Sequence, residues 1–332
     1  MDFYGLFIKY KLNRSLNAQE RACQLHQDRA LNLLGGGVEN DTIVIAINSY
    51  YLEIVDKFYP FKGVVGFIAG GWLYLSFNAY LSISYTRLVN IGLWNSSWNG
   101  LLSYLAVSIL LISVIIFSFK ILKCEWFART HYPMRFDRKN RLVHVIRLDG
   151  TAFSAEWDKL FITYGVNHPK LRHDSYYISC HVLAENNRTV VETFCLPFTS
   201  DLENLLRHWE FVRLFMDKGP ELIIDSVDIC LPIAKKREGF WLGLYYWTFC
   251  CFPMPFILVP VMLGFGLIFS IPRYIAMQTS RIPQWPKEIE LLCQPEKDDP
   301  YFRDASMNPK NLWWYGWKKS LHFWARLKGN KK

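Results

Sequence analysis

The chain has 332 residues, 51% of them apolar, 17% aromatic and 20% charged, with a formal net charge of +9. That apolar share is high for a purely soluble protein, so apolar residues are expected in segments, and the positive charge fits nucleic acid, anionic lipid or the positive-inside bias of a membrane protein. Eight cysteines (Cys23, Cys124, Cys180, Cys195, Cys230, Cys250, Cys251 and Cys293) contain no Cys-x-x-Cys and sit in apolar contexts, which argues against a zinc site and a disulfide framework and for buried or lipid-facing thiols in a reducing compartment.

Residues 1–62, a cytoplasmic segment in this reading, balance seven Lys/Arg against seven Asp/Glu. The opening Met1-Asp-Phe-Tyr-Gly-Leu6 has no basic stretch before an apolar core, so no cleavable signal peptide is expected. Asn17 with Glu20 predicts a capped helix through Ala22, Leu25, Ala30 and Leu33, stopped by Gly35–Gly37, which reads as a hinge rather than a phosphate loop. Thr42–Ile47 reads as a short strand, and Asn48–Lys62 as aromatic and basic chain arriving at a membrane interface.

No charge lies between Lys62 and Arg87, and those 24 residues suffice for a span at about 64–86. Gly66 and Gly70 present a Gly-x-x-x-Gly spacing on it, and Asn78 reads as a helix-to-helix hydrogen bond. A polar turn with Trp94, a sequon at Asn95-Ser96-Ser97 and Trp98 precedes a second span at about 100–119, which completes a hairpin over 63–119. Lys120, Lys123, Arg129, Arg135, Arg138, Lys139 and Arg141 crowd its exit, so the N-terminus and the following domain are expected in the cytoplasm.

Residues 125–236 read as that domain. Strands are predicted at 134–136, 141–147, 151–154, 160–164, 176–183 and 189–196 from β-branched and aromatic runs separated by Asp137–Asn140, Asp149-Gly150 and Glu185–Asn187. Ser200 with Glu203 predicts a helix presenting Leu202, Leu205, Leu206, Trp209, Val212 and Met216, ended by Gly219-Pro220. The fold class expected is membrane α-helical hairpins plus a cytoplasmic α+β domain, pleckstrin-homology-like, with antiparallel strands and one closing amphipathic helix. Residues 239–272 are uncharged, and basic flanks on both sides favour a hairpin turning near Pro253–Pro255 over a single kinked span. The tail, 273–332, carries a basic and aromatic helix. Trp313, Trp314, Trp317, Lys318, Lys319 and Trp324 are its candidate membrane-surface residues, and lipid is preferred to nucleic acid as their partner.

Catalytic constellations are sparse. His168 and His173 read as loop residues, and no Gly-x-Ser-x-Gly, His-Glu-x-x-His or Walker lysine occurs. No catalytic, cofactor or metal-binding residue is assigned, and the chain is not expected to be an enzyme. Arg135, Asp137, Arg138, Glu156, Trp157 and Asp158 are the candidate partner-binding residues; Glu156 and Asp158 on one strand edge read as a carboxylate pair or as exposed edge charges. Asn48–Asp56, Pro133–Arg138, Arg141–Val145, Glu156–Asp158, Met216–Pro220 and Trp285–Glu290, in that order, resemble the bacterial DUF6708 membrane-protein family over about residues 45–292. The resemblance implies an inner-membrane protein encoded near type VI secretion effectors. The expected function is an accessory or immunity protein that binds a protein partner, a secreted toxin, through the cytoplasmic domain. The alternative is a lipid-responsive or channel-like protein whose spans carry the activity.

Overall fold

The computed structural model describes residues 5–7, 9–31, 38, 42–91, 97–167, 175–197, 201–250 and 256–329, excluding the side chains of 90, 91, 167, 175, 256 and 322–329. In chain order come β1 (Arg14–Ser15), α1 (Ala18–Ala22), β2 (Gln24–Leu25), β3 (Val44–Ile47), β4 (Tyr51–Ile54), α2 (Val64–Tyr85) and α3 (Trp98–Lys123). The strands β5 (Met134–Asp137), β6 (Leu142–Ile146), β7 (Ala152–Glu156), β8 (Phe161–Asn167), β9 (Ser175–Leu183) and β10 (Thr189–Cys195) follow. Helices α4 (Leu202–Lys218), α5 (Phe240–Tyr245), α6 (Val259–Thr279), α7 (Lys287–Leu292) and α8 (Leu312–Gly329) complete the order.

The strands form two antiparallel five-stranded sheets, ordered β1-β10-β9-β8-β2 and β3-β4-β5-β6-β7. All six strands expected between residues 134 and 196 are present, because alternating β-branched and aromatic residues can bury one face of each. The N-terminal residues supply four more strands, so they belong to both sheets rather than forming a segment ahead of the first span. β4 pairs with β5, Tyr51 opposite Asp137 and Ile54 opposite Met134, and α2 and α3 are inserted between these two neighbouring strands. Tyr51–Ile54, expected at a membrane interface, is buried throughout. The predicted N-terminal helix is one turn long. Its capping box forms as expected, but Leu25 pairs with Ile162 and enters the core at 4% exposure, so tertiary burial overrides helical propensity. Gly35–Gly37 lies outside the described residues.

One core fills the space between the sheets and under α4. Trp157 stacks on Trp209 at 5.7 Å and meets Phe136 edge-on at 5.9 Å. Leu205, Trp209, Val212 and Met216 form the buried stripe of α4. Its N-cap is Asp201, whose side chain accepts from the Asn204 N–H; Ser200 is outside the described residues. Gly219 ends the helix at φ +98°, donating to the Leu214 and Phe215 carbonyls.

Among the described residues, three helices are long and apolar enough to cross a membrane: Tyr59–Val89, Trp98–Lys123 and Val259–Thr279. α2 packs along α3 and α6. At Gly66 an added Cβ would lie 2.9 Å from both Glu125 and Trp126, whereas Gly70 and Gly71 face open space; the small-residue spacing therefore serves one close approach. Asn78 bonds the Tyr74 carbonyl of its own helix, and Ser84 meets Tyr104 of α3 at 3.2 Å.

The block expected as a second hairpin folds back with unequal arms. The first is α5 plus a π-helical stretch, Tyr246–Cys250. It runs antiparallel to α6, with Gly243 near Arg273, Gly266 near Leu244 and Thr248, and Trp247 stacked on Phe269 at 4.9 Å. At about 1.5 Å per residue its six α-helical and five π-helical residues reach about half of a 30 Å hydrocarbon core. Only the second arm, α6, has the length and composition of a span, and residues 251–255, where the turn was expected, lie outside the described residues.

Candidate functional site

The predicted partner-binding residues fall in three places. Arg135 and Asp137 lie on the outer face of the β3–β7 sheet, which the chain's own tail covers through Trp285, Ile289 and Cys293. Arg135 donates to Glu53 Oε2 at 2.6 and 3.0 Å and is clamped between the rings of Tyr51 (4.6 Å) and Trp285 (4.8 Å). The Trp285 indole N–H donates to Glu53 Oε1 at 3.1 Å. Trp157 is in the core at 1% exposure. Glu156 pairs with Lys159 and Asp158 with Arg141, so the carboxylates do not act as a pair. Arg138 is half-buried and donates weakly to the Ser49 carbonyl at 3.4 Å. The sequence set does not converge on one surface.

The tail residues divide similarly. α8 forms where the basic and aromatic helix was expected, but Trp313 and Trp317 pack edge-on against Phe249 at 5.7 and 5.9 Å. Trp314 is 60% exposed with Lys318 beside its ring, and Lys319 lies 3.9 Å from Asp228. The Trp324 side chain, His168 and His173, and Asn95 and Ser96 of the sequon are outside the described residues.

What the fold does bring together is a cleft of about 310 Å³ along the seam where β6 and β7 of one sheet approach β10 of the other. Met134, Val145, Phe153 and Phe194 give it apolar walls, and Tyr10 and Leu12 line it from the N-terminal residues. Two contacts bridge the seam: Arg147 to Glu192, at 2.5 and 2.9 Å, and the Phe153–Phe194 ring pair at 6.1 Å. β1 covers β10 only at Thr189 and Val190. Beyond them no further strand pairs on that side among the described residues. A volume of this size with apolar walls and a few charges on its rim suits a ligand or a peptide segment.

A second arrangement sits where the apolar helices meet the sheets. Arg273, inside α6, donates to Glu238 at 2.5 and 2.8 Å and to the Tyr59 carbonyl at 2.9 Å. Its guanidinium lies between the Tyr59 and Tyr246 rings at 4.7 and 4.9 Å, and the Tyr59 hydroxyl donates to Glu238 at 2.7 Å. Just after α3, Glu125 accepts from the Gly63 and Gly66 N–H groups at 2.5 Å each, capping the start of α2. Asp56 accepts from the Phe58, Tyr59 and Tyr132 N–H groups at 2.8, 3.1 and 2.7 Å. Burial nonetheless holds Asp56 and Glu125 above the usual carboxylate range. Burial, reinforced by Lys62, pushes His131 down to about 3. Asp56, Lys62, Glu125 and His131 line a cavity of about 20 Å³, room for a single water.

These groups fasten each helical excursion at its ends, Lys62 and Glu125 around the first and Glu238 and Arg273 around the second. A family model described as a family of unknown function (DUF6708) matches residues 109–297. The chain belongs to the DUF6708 family. No curated protein and no solved structure matches it. The DUF6708 match takes in the β5–β10 walls of the seam cleft and the Glu238–Arg273 pair, but not the N-terminal strands that complete both sheets. Sequence reasoning set Arg273 outside the apolar block, yet a signal was present: a lone acid before 34 uncharged residues and a base after them should meet if the block returns on itself. Three residues of this DUF6708 chain, Asp137, His144 and Cys293, are close enough together to hold a metal ion.

Proposed function

We propose that this DUF6708 chain is a membrane-anchored binding protein that takes an extended, mainly apolar segment of a protein partner into the seam between its sheets. The cleft carries the reading, through its apolar walls from both sheets, its ion-paired rim and the β10 edge that no described strand pairs beyond Val190. An open strand edge supports such a segment by main-chain hydrogen bonds, and alternate side chains then fill the apolar wall. The β5–β10 strands closed by α4, a pleckstrin-homology-like order, form the rigid frame around it. α2, α3 and α6 are the anchors, and Trp314 and Lys318 of α8 rest on anionic lipid. The basic flanks support a cytoplasmic position for the sheets, so a phosphatase fused after Lys332 is expected to be inactive; an active fusion would sink that topology.

In the setting the sequence resemblance implies, the membrane is a bacterial inner membrane and the segment belongs to a secreted toxin. Survival in contact-dependent killing tests this. Deletion of the gene is expected to sensitise cells, with protection restored by the native chain but not by Phe153→Glu at equal abundance in the membrane. Equal survival of deleted and intact cells overturns the toxin reading, and full protection by Phe153→Glu overturns the cleft. A lipid chain is the competing occupant. Native mass spectrometry showing a lipid retained by the native chain and lost from Phe153→Glu would favour it instead.

A further inference from the structure

The outer face of the β3–β7 sheet holds a cluster that neither the cleft nor the helix junction uses. Asp137 ends β5, His144 lies in β6 and Cys293 caps α7; all three are buried, and a carboxylate oxygen, an imidazole nitrogen and the sulfur lie within 4.8 Å of one another. Asp137 Oδ2 is 3.7 Å from His144 Nε2 and 3.7 Å from Cys293 Sγ. Register produces the first approach: Arg135 pairs with His144 and Asp137 with Leu142, so Asp137 and His144 are diagonal neighbours on one face. α7 lays Cys293 over them.

His144 is 0% exposed, yet its Nε2 has no hydrogen-bond partner among the described residues. At 3.7 Å the Asp137 oxygen is beyond a hydrogen bond, and an unsatisfied buried nitrogen is costly. The other nitrogen, Nδ1, is 2.6 Å from Ser154 Oγ. In the tautomer that donates its Nδ1 proton to Ser154, the Nε2 lone pair faces Asp137 and Cys293. Asn140 holds the Asp137 carboxylate through its N–H at 3.0 Å and its side-chain amide at 2.7 Å.

We propose that Asp137, His144 and Cys293 bind a zinc-class divalent ion that clamps α7 to the sheet. Zinc bonds of about 2.0–2.2 Å to nitrogen and oxygen and 2.3 Å to sulfur set tetrahedral ligand separations of about 3.4–3.6 Å; the two separations from Asp137 are 3.7 Å, and all three donors lie within 4.8 Å of one another. Binding forms a metal–sulfur bond and releases the thiol proton to solvent; the thiolate and carboxylate together neutralise the ion. The nitrogen, oxygen and sulfur donors favour zinc or cobalt over magnesium or calcium. Ser154 is a positioning residue, fixing the imidazole as hydrogen-bonded partners of metal-bound histidines do.

The test uses the full chain in detergent, stripped with a chelator and titrated with cobalt(II). The native chain is expected to bind close to one ion per chain with thiolate-to-cobalt absorption. Cys293→Ser should lose that absorption, and Ser154→Ala should keep it with roughly 10-fold weaker affinity or more. Zinc added back should raise the melting temperature of the native chain and leave Cys293→Ser unmoved. No cobalt–thiolate absorption in the native chain, or undiminished absorption in Cys293→Ser, would overturn the site.

Discussion

Two buried arginines in this molecule are held alike and do different things. Arg273 and Arg135 each pair with a glutamate and lie between two aromatic rings. Arg273, fully enclosed, also bonds the Tyr59 carbonyl and fastens α6 to the chain entering α2. Arg135 ties β5 to β4 through Glu53 and fastens the tail through Trp285. One side-chain arrangement thus joins two long apolar helices at one site and a single surface helix at the other, and the cost of losing it should follow what it joins.

The sharpest break is at the junction. Arg273→Leu strands Glu238 in the core, and one unpaired buried charge is expected to cost about 3–5 kcal/mol, enough to remove most folded protein from detergent extracts. Arg273→Met combined with Glu238→Met should recover much of that loss, measured by thermal unfolding, because no charge is left unpaired. The same operation at the tail should be milder. Trp285→Ala is expected to cost about 2–3 kcal/mol, since α7 can detach locally without emptying the main core. Hydrogen exchange should then rise in 287–292 and stay unchanged in α6; a matching rise in α6 would mean that the two fastenings are coupled.

Gly63 refines the comparison. At φ +100°, its added Cβ would sit 2.6 Å from the Arg273 backbone nitrogen, so Gly63→Ala should cost roughly 2–3 kcal/mol. Gly70→Ala, in open space, should stay within about 0.5 kcal/mol. The junction also has a pH dependence. His131, held near 3, stays neutral in the fold, while the unfolded chain takes up that proton below about 6.5. Stability from this group is therefore lost as pH falls from 6.5 towards 3, by up to about 1.4 kcal/mol per unit. Asp56 and Glu125, raised by burial, act with the opposite sign, their contribution fading as pH rises through their folded values. His131→Asn should shrink the stability difference between pH 7 and pH 5 by about 2 kcal/mol.

The strands of residues 134–195 and the stripe of α4 were legible because each buries one face, and that periodicity is local. β3 and β4 were only half legible. Thr42–Ile47 reads as a strand, but Tyr51–Ile54, besides pairing with β3, gains its second partner β5 across two long helices, and no local pattern reports a pairing that distant. Trp157 illustrates the limit for sites: the sequence places it between two acids, like a surface anchor, and its stacking on Trp209 is a tertiary fact. The seam cleft and the Asp137–His144–Cys293 cluster were illegible for the same reason, since their walls and ligands come from separate elements.

The insertion of α2 and α3 between β4 and β5 also times the birth of the protein. Ile54 pairs with Met134, so at about 5–20 residues per second β4 waits roughly 4–16 s for its neighbour to be synthesised. In that interval both helices are synthesised. The central strand pair is thus completed only after the helical excursion has been synthesised, and the finished sheet is a record that the two ends of the excursion meet again.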